Sequence, residues 1–147
     1  MSFLKDSKFG KIYEKELLKY LDYEKYNFSI GNFKPYDLEI IKNNTSIYYE
    51  IKADRISYIT NNITIEYECN NKPSGISSTT SNYYGYFVIK PNTNYDLYII
   101  PSEIIRDNII NKTYKKSIVG GDNYKSKMYL FDIKIFNEYK IYISYGD

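Results

Sequence analysis

The sequence predicts a layered α/β fold, a mixed central sheet flanked by helices, and three observations carry that expectation. One stretch near the start has helical spacing, with Leu17 and Leu18 four and three residues before Leu21 and Ile12 upstream on the same run. Beyond it, β-branched and aromatic residues dominate in short runs bounded by turn residues. A second helical run, Ile104–Ile110, interrupts that pattern late in the chain. At 147 residues the chain reads as one domain, long enough to bury a sizeable core.

Taken in order, the first helix is expected over Gly10–Tyr23. Strands are expected at Phe28–Asn32, Tyr36–Ile41, Ser46–Ala53, Ile63–Cys69, Tyr83–Ile89 and Asp96–Ile100. Pro101-Ser102-Glu103 has the form of a helix start with Ser102 as its cap. Gly120-Gly121-Asp122-Asn123 reads as a loop. The tail, Met128–Phe136 and Tyr139–Ser144, fits either a terminal hairpin or a strand with a short helix.

Composition narrows the chemistry. Histidine is absent and Cys69 is the only cysteine, so imidazole and thiolate chemistry are nearly excluded. Any metal or acid–base site must be built from carboxylates and lysines. A lone cysteine forms no internal disulfide, and Cys69 reads as a small core residue. The start lacks a signal peptide's apolar run, and no stretch of about eighteen apolar residues follows. A soluble intracellular protein without membrane attachment is therefore expected. The 20 tyrosines are explained by AT-rich codons, so they are not read as base-stacking residues. A net charge of +2 is too small for a global field, and a nucleic-acid footprint would have to be a local patch.

One segment has the form of a hairpin that builds a site. Asn43-Asn44 separates two alternating runs, and asparagine tolerates the left-handed backbone of a tight turn. A turn centred there sets Leu38 against Tyr49, Ile40 against Ile47 and Tyr36 against Ile51, one apolar face. On the other face it sets Asp37 against Glu50, with Lys52 and Asp54 following on the same side. Directly opposed Cβ atoms lie about 4.5–5.5 Å apart, where like charges repel. A hard cation such as Mg²⁺ relieves that repulsion, since one or two carboxylates plus waters and a substrate phosphate complete its octahedron. The Ile51 carbonyl can add a ligand. Lys52 is placed to orient or deprotonate a water and to stabilise charge growing on phosphate. The same spacing also suits a plain solvated sheet face.

Asp37 and the Glu50-Ile51-Lys52 triplet, preceded by a helix and followed by further strands and a helix, resemble the PD-(D/E)xK nuclease superfamily. More narrowly, the chain is similar to the Holliday-junction-resolvase-like branch found in phages and large DNA viruses. The likeness runs from about Gly10 to Ile110. It extends to Ile65-Glu66-Tyr67-Glu68, Lys72-Pro73-Ser74-Gly75-Ile76 and Asn82-Tyr83-Tyr84. In this chain Tyr36 separates Pro35 from Asp37. The resemblance implies a restriction-endonuclease-like sheet and a Mg²⁺-dependent DNA endonuclease in which Mn²⁺ can substitute. It implies action on branched DNA as a homodimer, because a four-way junction offers two symmetric strands. It also implies a glutamate on the first helix near the site, Glu14, with Glu16 as its rival.

Glu66 is placed either to support Lys52 and the metal waters or simply to face solvent. Lys72, Ser74, Gly75 and Thr79 lie in a hydroxyl-rich loop suited to phosphate contacts that set register without reading sequence. The alternatives are a non-catalytic nucleic-acid-binding module of the same fold, or a nuclease acting on flap, nicked or duplex DNA.

Overall fold

The computed structural model describes residues 3–30, 35–120, 125–143 and 145, with residues 3–9 described as backbone only. Helix α1 spans Phe3–Leu17 and tightens into a 3-10 turn at Leu18–Tyr20. It starts seven residues before the expected boundary because Gly10 does not stop it. A single interior glycine costs a helix only about 1 kcal/mol.

Six strands form the main sheet, in the order β1 (Lys25–Phe28), β2 (Leu38–Lys42), β3 (Thr45–Asp54), β6 (Tyr83–Ile89), β7 (Tyr95–Pro101) and β10 (Lys140–Ile141). Every neighbouring pair is antiparallel except β3 with β6, so the sheet is mixed, as the α/β expectation requires. The expected strand at Phe28–Asn32 is displaced to Lys25–Phe28, and its far end at Asn32 lies outside the described residues. The chain between β3 and β6 and the chain after β7 build a second, four-stranded antiparallel sheet. Its order is β5 (Lys72–Pro73), β4 (Asn62–Cys69), β9 (Ser126–Asp132), β8 (Lys116–Gly120). The expected loop at residues 120–123 begins in β8 and otherwise lies outside the described residues. Two short helices complete the fold, α2 (Ser57–Thr60) and α3 (Ser102–Ile110). The tail takes the second of its two expected forms: β9, then a 3-10 stretch at Ile133–Tyr139, then β10.

Three asparagine-driven turns shape the chain. Asn43-Asn44 and Asn70-Asn71 both have left-handed φ values (52° and 61°; 54° and 63°), the two-residue hairpin geometry that matches strand twist. Asn61, φ 58°, ends α2 in the same conformation.

Each face of the main sheet has its own core. On one face α1 lays Tyr13 and Leu17 over Leu38, Ile40, Tyr49, Phe87 and Leu97. Gly85 is what allows the approach: a Cβ there would stand 2.9 Å from the Leu17 side chain. Truncating fully buried Leu17 to alanine costs about 2–5 kcal/mol. On the other face Ile63, Ile65 and Phe131 of the second sheet meet Tyr84, Tyr86, Val88 and Ile100, with Ile105 of α3 and Phe136 closing the edge. This second face is covered chiefly by a sheet, with α3 beside it. Strand alternation then places Glu50, Lys52 and Asp54 between the two sheets, since Tyr49, Ile51 and Ala53 face α1.

Candidate active site

The hairpin register runs as the Asn43-Asn44 turn dictates, with Leu38 opposite Tyr49, Ile40 opposite Ile47 and Lys42 opposite Thr45. It stops one residue short of the expected Asp37–Glu50 pair. The Asp37 N–H donates to the Tyr49 carbonyl at 2.9 Å, and the Ile51 N–H donates to Asp37 Oδ2 at 2.7 Å. Asp37 thus brackets Glu50 from the residues on either side of it, its carboxylate standing in for the missing strand acceptor. Tyr36, expected against Ile51, instead packs on Tyr48 with ring centroids 4.7 Å apart. A one-residue slip at the end of a ladder sends a side chain to the opposite face.

Strand geometry points an N–H and the C=O of the same residue toward one edge, so the Ile51 carbonyl shares the Asp37 edge of β3. Glu50 is buried at 9% exposure, whereas Lys52 is half-buried and its ammonium makes no hydrogen bond or ion pair among the described residues. Beside Glu50 in the parallel β3–β6 register stands Tyr84. Its phenol is resistant to ionisation, first through burial and then through the negative charges of Glu50, Asp37 and Glu66, with Arg106 acting in the opposite sense. That one hydroxyl therefore feels three of the acidic residues singled out from the sequence. It has no hydrogen-bond partner among the described residues.

Asp54, at the other end of the row, has a different fate. It accepts from the Ile56 and Ser57 N–H groups at 2.7 and 3.1 Å, from Ser57 Oγ at 2.7 Å and from the Tyr86 hydroxyl at 2.5 Å. The Thr64 N–H in turn donates to the Tyr86 oxygen at 3.1 Å, tying the second sheet to this knot.

The remaining sequence-derived residues are distributed as follows. Glu14 rides on α1, which packs on the face opposite Glu50 and Lys52, so the fold does not gather them on one face. Glu16 holds Lys19 and the Tyr95 hydroxyl, each at 2.7 Å. Burial raises its pKa, but those two donors outweigh it and hold the carboxyl below the usual range. Glu66 lies at a β-bulge in β4 that ends at Glu68. Gly75, φ +51°, sits so close that a Cβ would fall 2.2 Å from the Glu66 carbonyl oxygen. Lys72 is exposed, but Ser74 Oγ is buried without a partner among the described residues. Thr79 is buried and donates to the Pro35 carbonyl at 3.0 Å, so it pins the segment that leads into Asp37 and does not face solvent.

Sequence reading passed over Tyr84 as a site residue, together with Arg106, Ser81 and Ser102. Ser102, expected to cap α3, is its first residue, and its hydroxyl makes no cap hydrogen bond. Only the parallel β3–β6 pairing brings Tyr84 to Glu50, and no local pattern encodes it. Among the described residues no three acidic or cysteine side chains converge closely enough to hold an ion by themselves. No described helix is long and apolar enough to cross a membrane. Comparison with protein-family models, with curated proteins and with solved structures finds no match.

Proposed function

We propose that the protein is a Mg²⁺-dependent endonuclease that hydrolyses phosphodiester bonds in DNA. The observation that carries this reading is the bracketing of Glu50 by Asp37, whose carboxylate takes the Ile51 N–H at 2.7 Å on the edge of β3, with Lys52 one side-chain step away. Asp37, Glu50 and the Ile51 carbonyl would hold the ion, which supplies Lewis-acid polarisation of the phosphate when bound. The Lys52 ammonium donates to a water or a non-bridging phosphate oxygen and favours the charge that grows during in-line attack. Glu66 and Tyr84 border this space and orient water through hydrogen bonds. The likeness to the Holliday-junction-resolvase-like branch favours branched DNA as substrate and a homodimer as the acting form.

Purified protein with Mg²⁺ or Mn²⁺ is tested on a four-way junction, a flap, nicked and linear duplexes and a single strand. Cutting that ceases in EDTA supports the reading, and intact DNA in every lane removes it. Among the described residues no third carboxylate converges on the site, which favours one second reading, a non-catalytic DNA-binding module. Metal titration separates the two. A nuclease site raises the melting temperature with Mg²⁺, and a pure binder does not respond.

A further inference from the structure

A cleft of about 570 Å³ opens where the N-terminus of β6, the C-terminus of β7 and the first turn of α3 meet. Ser81 and Ser102 line it, and at 3% and 1% exposure they belong to its floor. Their hydroxyls, and that of Tyr84 nearby, are buried without a hydrogen-bond partner among the described residues. Native proteins rarely leave such groups unpaired, and each costs about 1–3 kcal/mol when they do. Arg106 stands at the mouth, exposed, and among the described residues its guanidinium makes one hydrogen bond, to the Thr79 carbonyl at 3.3 Å. Its charge acts on the Tyr84 phenol in the sense opposite to Glu50. The amides of Glu103 and Ile104, in the first turn of nine-residue α3, have no acceptor within the helix and carry its positive end. The Ser102 N–H is already given to the Asn82 carbonyl at 2.9 Å. The Glu103 carboxylate at the rim opposes an anion, and Arg106 offsets it.

We infer that this cleft is a phosphate-binding subsite, with Ser81 and Ser102 hydroxyls, the Glu103 and Ile104 amides and the Arg106 guanidinium as donors. Resting on the nuclease reading, the phosphate is a backbone phosphate of the DNA strand that the enzyme holds. Arginine with hydroxyl and helix-end N–H donors is the set that grips phosphate without reading bases. The site would set the register of the strand.

The test combines two probes on the full chain without metal. Inorganic phosphate is titrated while amide resonances are followed, and a short DNA duplex is bound over a range of salt concentrations. Phosphate should shift the Glu103 and Ile104 amides, and Arg106→Gln should erase that response. The same substitution should weaken duplex binding about tenfold and reduce the salt slope by about one. Ser102→Ala should weaken phosphate binding while raising the melting temperature, because it deletes an unpaired buried hydroxyl. Since Arg106 is exposed and Ser102→Ala adds no bulk, both variants keep the fold. Phosphate binding without DNA binding would leave the subsite standing and remove the nuclease reading. DNA binding with an unchanged affinity and salt slope in both variants would overturn the subsite and leave the nuclease reading intact. Silence of the Glu103 and Ile104 amides toward phosphate would also overturn it.

Discussion

The two ends of the polar row on β3 carry the same chemistry and have opposite fates. At the C-terminal end Asp54 meets Tyr86, and four donors saturate the carboxylate while Ser57 and the Thr64 N–H complete the knot. At the N-terminal end Glu50 stands in register with Tyr84, and the tyrosine hydroxyl is left without a hydrogen-bond partner among the described residues. A saturated carboxylate–tyrosine pair holds two sheets together. An unpaired buried phenol costs stability, and a fold retains such a cost where a ligand can complete the bonding.

Substitutions along the row test that contrast. The largest effect is expected at Lys52: Lys52→Ala should lower the cleavage rate about 10²–10⁴-fold in steady-state assays. Its melting temperature should hardly move, since the Lys52 ammonium makes no hydrogen bond or ion pair among the described residues. Equal loss of activity and stability would mean that Lys52 is structural. Next, Asp54→Ala should cost about 3 kcal/mol in denaturant unfolding, because it leaves the Ser57 N–H and the Ser57 and Tyr86 hydroxyls without their acceptor at once. An effect under 1 kcal/mol would erase the distinction between the two ends.

A paired comparison of tyrosines is sharper. Tyr86→Phe should destabilise by about 1–2 kcal/mol, whereas Tyr84→Phe should be neutral or slightly stabilising. Equal losses would show that Tyr84 is satisfied in solution, and the unsaturated end would lose its meaning.

The smallest effect lies on the α1 face. Glu16 has a folded pKa below its unfolded value, so the unfolded chain binds the proton first as pH falls. The stability it contributes is complete above the ordinary carboxylate pKa and is lost as pH drops through its lowered folded value. Glu16→Gln should therefore flatten the acid limb of a pH–stability curve and leave neutral and alkaline unfolding nearly parallel to wild type.

Parts of this arrangement were legible beforehand, for physical reasons that differ element by element. The β2–β3 register was readable because two asparagines tolerate left-handed φ and side-chain alternation has a period of two. The break at Asp37 was not, since it depends on a side chain replacing a backbone acceptor at the strand's entry. Ser102 looked like a helix cap, but Pro101 occupies the capping position and the Ser102 hydroxyl is buried without a partner among the described residues. Asn70-Asn71 repeats the turn chemistry of Asn43-Asn44 and could have been read as a second hairpin. Thr79 looked like a surface hydroxyl until its partner, the Pro35 carbonyl, was seen 44 residues away in sequence.

Local chemistry in the chain decided the α/β class, the Asn43-Asn44 turn, the alternation that separates Glu50 and Lys52 from the apolar face, and the restriction to carboxylate and lysine chemistry. Tertiary structure decided the parallel pairing of β3 with β6, the second sheet that covers the face carrying the polar row, and the placement of Tyr84 beside Glu50. These depend on contacts between segments far apart in the chain. Such contacts form only when whole faces are buried together, and no short window of residues records them.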